Sequence, residues 1–531
     1  MVAVVDQIIG EPCNEKAPEF NKAFALSVDP PTRFSRVEHD LVECARRSPD
    51  KVALIADSKH FSYRDMFAHA AHLSSKLIEC GVTRGERITV YLDKTPEAVV
   101  ACYAIWLAGG ILVPAHEGLH ARQLHYILQH SGSRLLVSST RKLARFGIKP
   151  PDHVLLIDYS LPAPPLCAGD LCMQYSEPNE PAAILYTSGS TGQPKGILVS
   201  HGNLTAGARI VSQYLELRED ERIISIPPFS FDYGLNQLLS SVMMGATLVL
   251  QRSHLPADIC RTLQQKSITG MAAVPPLWLQ LLGDGSPFTQ KEFPDLRYIT
   301  NTGGVFPVKA VEQYRRLLPH VRIYLMYGLS EAFRSTYLPP EEIDKRPGSM
   351  GKAIPETTIS VINDGRECEV GEIGELVHRG PTVALGYWRD PETTARVFRP
   401  FSGSIAASSE VAVYSGDYVK QDSDGFLYFV GRRDTMIKTQ GFRVSPDEVE
   451  ELILASGLVR EAAALGEPDD VAGAVIAVHL VPKDPSTFSQ SSLLDFCRRE
   501  MPRHMVPKVV YLHEELPKTG SGKIDRKSLV S

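Results

Sequence analysis

From Val52 onward, short apolar runs alternate with stretches of helical spacing. VALIAD (52–57) reads as a strand, and YRDMFAHAAHLSSKLIEC (63–80) spaces its apolar residues three and four apart, as an amphipathic helix does. RITVYL (87–92) reads as a strand, a helix follows it, and GGILVPA (109–115) and SRLLVSS (133–139) read as strands again. Such alternation predicts parallel α/β layers. The rhythm resumes with ERIISIP, GATLVL, GMAAVP, LRYITN and RIYLMYG, each a short apolar run bounded by turn residues.

After about residue 350 the strands shorten and turns multiply. The stretch YSGDYVKQDSDGFLYFVGRRD is β-rich, with DSDG (422–425) as its hairpin turn, and predicts a small barrel or sheet. Beyond Asp434, SPDEVEELILAS opens a capped helix, Ser445 standing three residues before Glu448. Strand, helix and strand patterns follow, enough for a separate α+β domain. The expected fold class is α/β. A large N-terminal domain over 1–433 would combine parallel α/β layers with a small β-barrel-like part, and a small α+β C-terminal domain would cover 434–531.

Length agrees with that division, since 531 residues exceed what a single hydrophobic core supports. With 56 basic against 62 acidic residues and no basic stripe, a nucleic-acid footprint is not indicated, and small-molecule partners are expected. Nine cysteines without a CxxC pair suit reduced thiols in a cytoplasmic setting better than a disulfide framework or a metal cluster. The first thirty residues carry acids early and lack a signal-peptide core. Ala98–Ala115 is long enough to test as a membrane span. Gly109, Gly110 and Pro114 interrupt it, so it reads as a buried helix turning into a strand.

The densest chemistry lies in AAILYTSGSTGQPKG (182–196). An apolar strand runs directly into glycines at 189, 192 and 196, whose conformational freedom lets consecutive N–H groups point into one concavity. Thr187, Ser188, Ser190 and Thr191 add hydroxyls, and Lys195 adds a positive charge, a set suited to a polyphosphate. It is not a Walker P-loop, which needs GxxxxGK followed by Ser or Thr. Nor is GSGKI (520–524), where Pro517 stands in place of the first glycine and Ile524 in place of the hydroxyl.

The run YTSGSTGQPKG resembles the phosphate-binding stretch of the adenylate-forming superfamily: acyl- and aryl-CoA synthetases, adenylation domains of nonribosomal peptide synthetases, and firefly luciferases. NTGGVFP (301–307), YGLSEA (327–332), YSGDYV (414–419), GRRD (431–434) and LPKTGSGKIDR (516–526) match it in order across roughly residues 40–531. The resemblance implies ATP and Mg²⁺ as cofactors. ATP would be bound by Thr187, Ser188, Gly189, Ser190, Thr191, Gly192, Lys195, Gly303, Gly304, Tyr327, Gly328, Ser330, Glu331, Asp417, Arg432 and Lys523. Gly303 and Gly304 would leave room for adenine, Glu331 would offer a hard oxygen to Mg²⁺ on the phosphates, and Asp417 would accept from both ribose hydroxyls. Lys523 is the implied catalytic lysine, with Thr187 and Glu331 beside it in the catalytic set. Asp434 and Gly441, in DTMIKTQG, match the hinge and the loop presented to the thiol when the mobile C-terminal domain turns.

The substrate is a small carboxylic acid, less closely defined. In PPFSFDYGLNQ (227–237), Asp232 followed by Tyr233 resembles amino-acid adenylation domains, where the aspartate pairs with the substrate ammonium. Burying such a carboxylate without a cation is costly, although an exposed turn or a protein base would also account for it. Thr302 and Gly303 join the expected acid site. Arg334 could hold a second carboxylate bidentately, contact phosphate, or brace its own loop. Nothing after Lys523 resembles a carrier domain, so the thiol is expected in trans, on an acyl or peptidyl carrier protein or on free CoA.

The favoured reading is an AMP-forming acid–thiol ligase acting on an amino or β-amino acid and a carrier protein. An acyl- or aryl-CoA ligase and a luciferase-type oxygenase share the motifs. A catalytically inactive nucleotide-binding regulator is the reading of another class, and the presence of Lys523 argues against it.

Overall fold

The strands predicted from apolar runs form, and their order in the sheets explains where the motifs sit. The structure, a computed structural model, describes residues 36–161, 177–187, 194–401, 410–432, 437–439, 442–469, 473–501, 505–519 and 523–529. The chain packs as two units: 1–253 with 265–269, and 254–264 with 270–531.

In the first unit, one sheet runs Lys195–Ser200, Pro181–Thr187, Ile111–Pro114, Arg87–Val90, Leu135–Ser138, Leu155–Asp158. All neighbours are parallel except the first pair, which is an antiparallel hairpin. A second set of strands runs Arg222–Ser225, Thr247–Leu250, Val52–Ala56 in parallel, and Lys59–Ser62 turns back antiparallel on the last. Beyond Glu97 in its first turn, the Pro96–Leu107 helix is apolar on every side and buried, as its hydrophobic sequence requires. It ends before Gly109, and the chain enters the Ile111–Pro114 strand, as the glycines and proline in that run predicted. No helix among the described residues is long and apolar enough to cross a membrane. The helix predicted over 63–80 forms as Tyr63–Glu79 and opens on a capping box, with Ser62 and Asp65 satisfying each other's backbone N–H groups.

In the second unit, Gly270–Ala273, Tyr298–Asn301 and Arg322–Tyr327 are parallel, followed by antiparallel Thr336–Leu338 and Lys352–Ala353. An antiparallel sheet then follows, in the order Arg366–Glu367, Thr358–Asn363, Ile373–Arg379, Val411–Gln421, Phe398–Pro400, with Leu427–Arg432 also paired to Val411–Gln421. The DSDG turn forms as read: Asp422 Oδ1 accepts from the N–H groups of Asp424 and Phe426, and Gly425 takes φ +85°. Further on, the Ser445 hydroxyl caps the Pro446–Ala455 helix at Glu448 N–H. That helix packs with Gln490–Glu500 on a sheet of Val459–Asp469, Gly473–Pro482 and Val509–Leu512, around Val449, Ile453, Ile476, Val478 and Leu493.

Candidate functional site

Each unit carries part of the predicted set. In the first, the Pro181–Thr187 and Lys195–Ser200 strands pair with Tyr186 opposite Gly196 and Thr187 opposite Lys195. Thr187 and Lys195 thus share the last rung before the loop. Ser188, Gly189, Ser190, Thr191 and Gly192, like Asp434 and Gly441, lie outside the described residues.

Asp232 is the first residue of the Asp232–Met243 helix, half-buried, and Tyr233 beside it is buried. A carboxylate in a first helical turn faces the unsatisfied N–H groups and the positive end of the helix dipole. The helix start is thus one feature, besides a cation, that favours a carboxylate at this position. The turn before it is tightly held. Phe231 N–H donates to Pro228 O, and a Cβ on Gly234 would lie 2.2 Å from Pro228 O and 2.4 Å from Pro227 O, so only glycine fits. The buried Lys94 Nζ donates to Pro227 O at 2.5 Å and lies 4.9 Å from the centre of the Phe229 ring. Burial brings its pKa down to about 7.

The second unit holds the larger cluster. After the Tyr298–Asn301 strand, Thr302 is buried and Gly303 adopts φ +80°, a conformation that requires glycine. A Cβ on Gly304 would press on Pro275 at 3.2 Å. Tyr327 ends the Arg322–Tyr327 strand, and Gly328 packs so closely on the backbone of Phe333 and Arg334 that a Cβ would lie 3.1 Å from each. Ser330 is half-buried in the turn that follows. Arg334 is buried, and its Nη1 donates to Phe333 O at 2.7 Å. That bond is consistent with one of the three roles expected of it, bracing its own loop.

Asp417 lies on Val411–Gln421 directly opposite Arg432 on Leu427–Arg432. The Tyr327 hydroxyl donates to its Oδ2 at 2.5 Å, and Arg432 Nε stands 3.1 Å from Oδ1. Burial, and then the Asp417 charge, hold the Tyr327 phenol well above its ordinary pKa, so it remains a donor. Lys523 lies within electrostatic range of Asp417 and Arg432. Although exposed at the surface, its ammonium has enough protein around it that partial desolvation lowers its pKa. Arg432 lowers it further, while Asp417 and Asp447 oppose the shift. The terminal segment is fixed by Arg526 on Glu450 and Asp447, and by Thr519 N–H donating to Lys523 O.

Glu331 has a partner that the sequence did not suggest. Tyr387 Oη donates to its Oε1 at 2.5 Å, and Ala384 N–H donates to its backbone oxygen. Tyr387 stands in GYWRD beside Gly386, which is at φ +133° and packed on Thr394. His378 ties the same two segments together, bonding Ser335 through Nδ1 and Thr382 through Nε2. A hard divalent ion fits at Glu331, a half-buried carboxylate oriented through one oxygen. Among the described residues no three His, Cys, Asp or Glu side chains gather to hold an ion by themselves, so phosphate oxygens would have to complete its shell.

The family model of the AMP-binding enzyme matches residues 41–388, and that of its C-terminal domain matches 448–523. The chain belongs to the AMP-binding enzyme family. Its resemblance to the adenylate-forming ligases is thereby established, and ATP and Mg²⁺ use is a property of that family. The chain is 30% identical over 490 residues to the delta-poly-L-ornithine synthetase of Acinetobacter baumannii, covering 91% of this chain and 36% of that protein. It is 30% identical over 506 residues to the phosphinothricin tripeptide synthetase of Streptomyces viridochromogenes, covering 94% and 45%. It thus spans less than half the length of either relative. Among solved structures, the o-succinylbenzoate CoA synthetase of Bacillus subtilis with its acyl-adenylate is similar at TM-score 0.80 and 26% identity, covering 93% of this chain and 98% of that one. The same synthetase with ATP and magnesium gives 26% identity and TM-score 0.80 over 93% and 99%.

Proposed function

We propose that this chain adenylates a small carboxylic acid with ATP and passes the acyl group to a phosphopantetheine thiol. The observation that carries this reading is the Tyr327–Asp417–Arg432 set, with Lys523 within electrostatic range of it. An anchored acceptor for ribose hydroxyls stands there within electrostatic reach of the predicted catalytic ammonium. In the first step a carboxylate oxygen attacks the α-phosphorus, the bond to the β-phosphate bridging oxygen breaks, and pyrophosphate leaves. Negative charge grows on the phosphoryl oxygens, and Lys523 offsets it. Thr187 and Lys195, on one rung, hold the outer phosphates. Glu331, oriented by Tyr387, would hold a Mg²⁺ ion, which when bound neutralises phosphate charge. In the second step the thiol sulfur attacks the acyl carbon, AMP departs, and the thiol proton passes to solvent.

For the acid we propose an amino or β-amino acid whose ammonium approaches Asp232, and for the acceptor a carrier protein. The peptide-synthetase names of the two 30%-identical relatives support this choice. The CoA synthetase likeness favours a second reading, an acyl- or aryl-CoA ligase using free CoA. We place the domain boundary near residue 434, with the part beyond it moving between half-reactions. ATP–pyrophosphate exchange with an amino acid and its des-amino analogue separates the substrate readings. Faster exchange with the amine, lost in Asp232→Ala, supports the ammonium role, and equal exchange refutes it.

A further inference from the structure

The strands flanking the phosphate loop are tied to a helix far from them in sequence. Tyr126 and His130 lie one turn apart on the Ala121–Ser131 helix, and their rings stack at 5.4 Å and 17°. His130 Nδ1 and the Tyr186 hydroxyl share a hydrogen bond of 2.8 Å, and the two rings also meet edge to face at 5.7 Å. Tyr126 Oη donates to Pro194 O at 3.0 Å. Tyr186 precedes Thr187 and Pro194 precedes Lys195, so the two bonds bracket the Thr187–Lys195 rung from both arms of the hairpin.

The helix making these bonds is itself fixed. Leu124, Ile127 and Leu128 bury its inner face, and its last turn accepts bonds from Arg87, Nε to Ser131 O and Nη2 to Gly132 O, each 3.1 Å. Arg87 belongs to the central strand Arg87–Val90. The hairpin is thereby referenced to the middle of the sheet.

We propose that Tyr126 and His130 are positioning residues for triphosphate binding, holding Thr187 and Lys195 at the separation the outer phosphates need. This rests on the reading of the hairpin as the holder of those phosphates. The pair touches nothing that reacts. Its effect is confined to ligands carrying β- and γ-phosphates, which separates it from a general contribution to stability.

The test compares equilibrium binding of α,β-methylene-ATP with Mg²⁺ against binding of AMP, in the full chain. Tyr126→Phe keeps the stack and removes only the bond to Pro194, and His130→Ala and Tyr186→Phe each remove the other bond. Each single variant is expected to weaken the ATP analogue about three- to tenfold, the worth of one neutral hydrogen bond, and to leave AMP affinity unchanged. The double variant His130→Ala with Tyr186→Phe should be no weaker than the worse single one. His130→Asn, whose amide supplies both a donor and an acceptor, should recover most of the loss. An unchanged ratio of analogue to AMP affinity in Tyr126→Phe and His130→Ala overturns the proposal, whatever happens to the melting temperature. If the unaltered protein binds the analogue no differently from AMP, the phosphate role of the hairpin fails, and the positioning role fails with it.

Discussion

Replacing Asp417 by Asn removes a charge while keeping the shape of the side chain, and its consequence can be worked from the bonds around it. A carboxylate offers about four acceptor positions. Tyr327 donates to one oxygen and Arg432 stands against the other, and a ribose would bring two further hydroxyl donors. A hydrogen bond to a charged acceptor is worth about 1.5–3 kcal/mol and a neutral one about 1 kcal/mol. Neutralising Asp417 therefore costs about 1 kcal/mol per hydroxyl, or about 2 kcal/mol in all. At about 1.4 kcal/mol per decade this weakens AMP binding about thirtyfold. The assay is calorimetric titration with AMP and 2′-deoxyAMP. The unaltered protein should prefer AMP by about tenfold or more, and Asp417→Asn should narrow that preference to about fivefold. Equal discrimination by both proteins would mean that Asp417 does not read the ribose, and that the Tyr327–Asp417–Arg432 set is structural only.

Other consequences follow from the same geometry. Lys523→Ala should lower pyrophosphate exchange by about a hundredfold or more with little change in AMP affinity, as expected of a group acting on the transition state. Because the folded environment lowers the Lys523 pKa, activity should fall with rising pH at a lower pH than an ordinary lysine would impose. Arg432→Gln should move that alkaline limb upward, and kcat measured across a pH series checks both. His378, buried between Ser335 and Thr382, has its pKa lowered to about 3 by burial. Its folded value lies below the unfolded value of about 6.5, so its contribution is complete above that value and is lost as pH falls toward 3, at about 1.4 kcal/mol per pH unit. Urea unfolding at a series of pH values should show a shallower decline in His378→Gln. Gly234→Ala, with its new methyl group 2.2 Å from Pro228 O, should impair acid-dependent exchange and leave AMP binding intact. Loss of AMP binding as well would show that the damage is not local.

Most of the strands and their order of use were legible because a buried parallel strand leaves an unmistakable apolar run. Ile111–Pro114 and Leu135–Ser138 are buried at every position. Local chemistry was legible for the same reason: the Ser445 cap and the Asp422–Gly425 turn depend on residues within four positions of each other. What could not be read was any bond closing over a long separation. Tyr387 meets Glu331 across 56 positions, Tyr186 meets His130 across 56, and Lys94 meets Pro227 across 133. Periodicity carries no trace of such pairs, and each partner alone looks like an ordinary aromatic or lysine. Asp232 shows a subtler limit. Its charge was legible, but its place in a first helical turn was not. Arg334 likewise was legible as a guanidinium near a motif, whereas its bond to the carbonyl of Phe333, a residue at φ +59°, was not.

The central claim is that this chain drives an acid-dependent attack on the α-phosphorus of ATP, and ATP–pyrophosphate exchange over a panel of amino, β-amino and des-amino acids tests it most directly. The account predicts exchange that depends on the acid, is highest with an amine-bearing member, and collapses in Lys523→Ala. Binding of ATP without exchange for any acid of the panel, unchanged by that substitution, would contradict it.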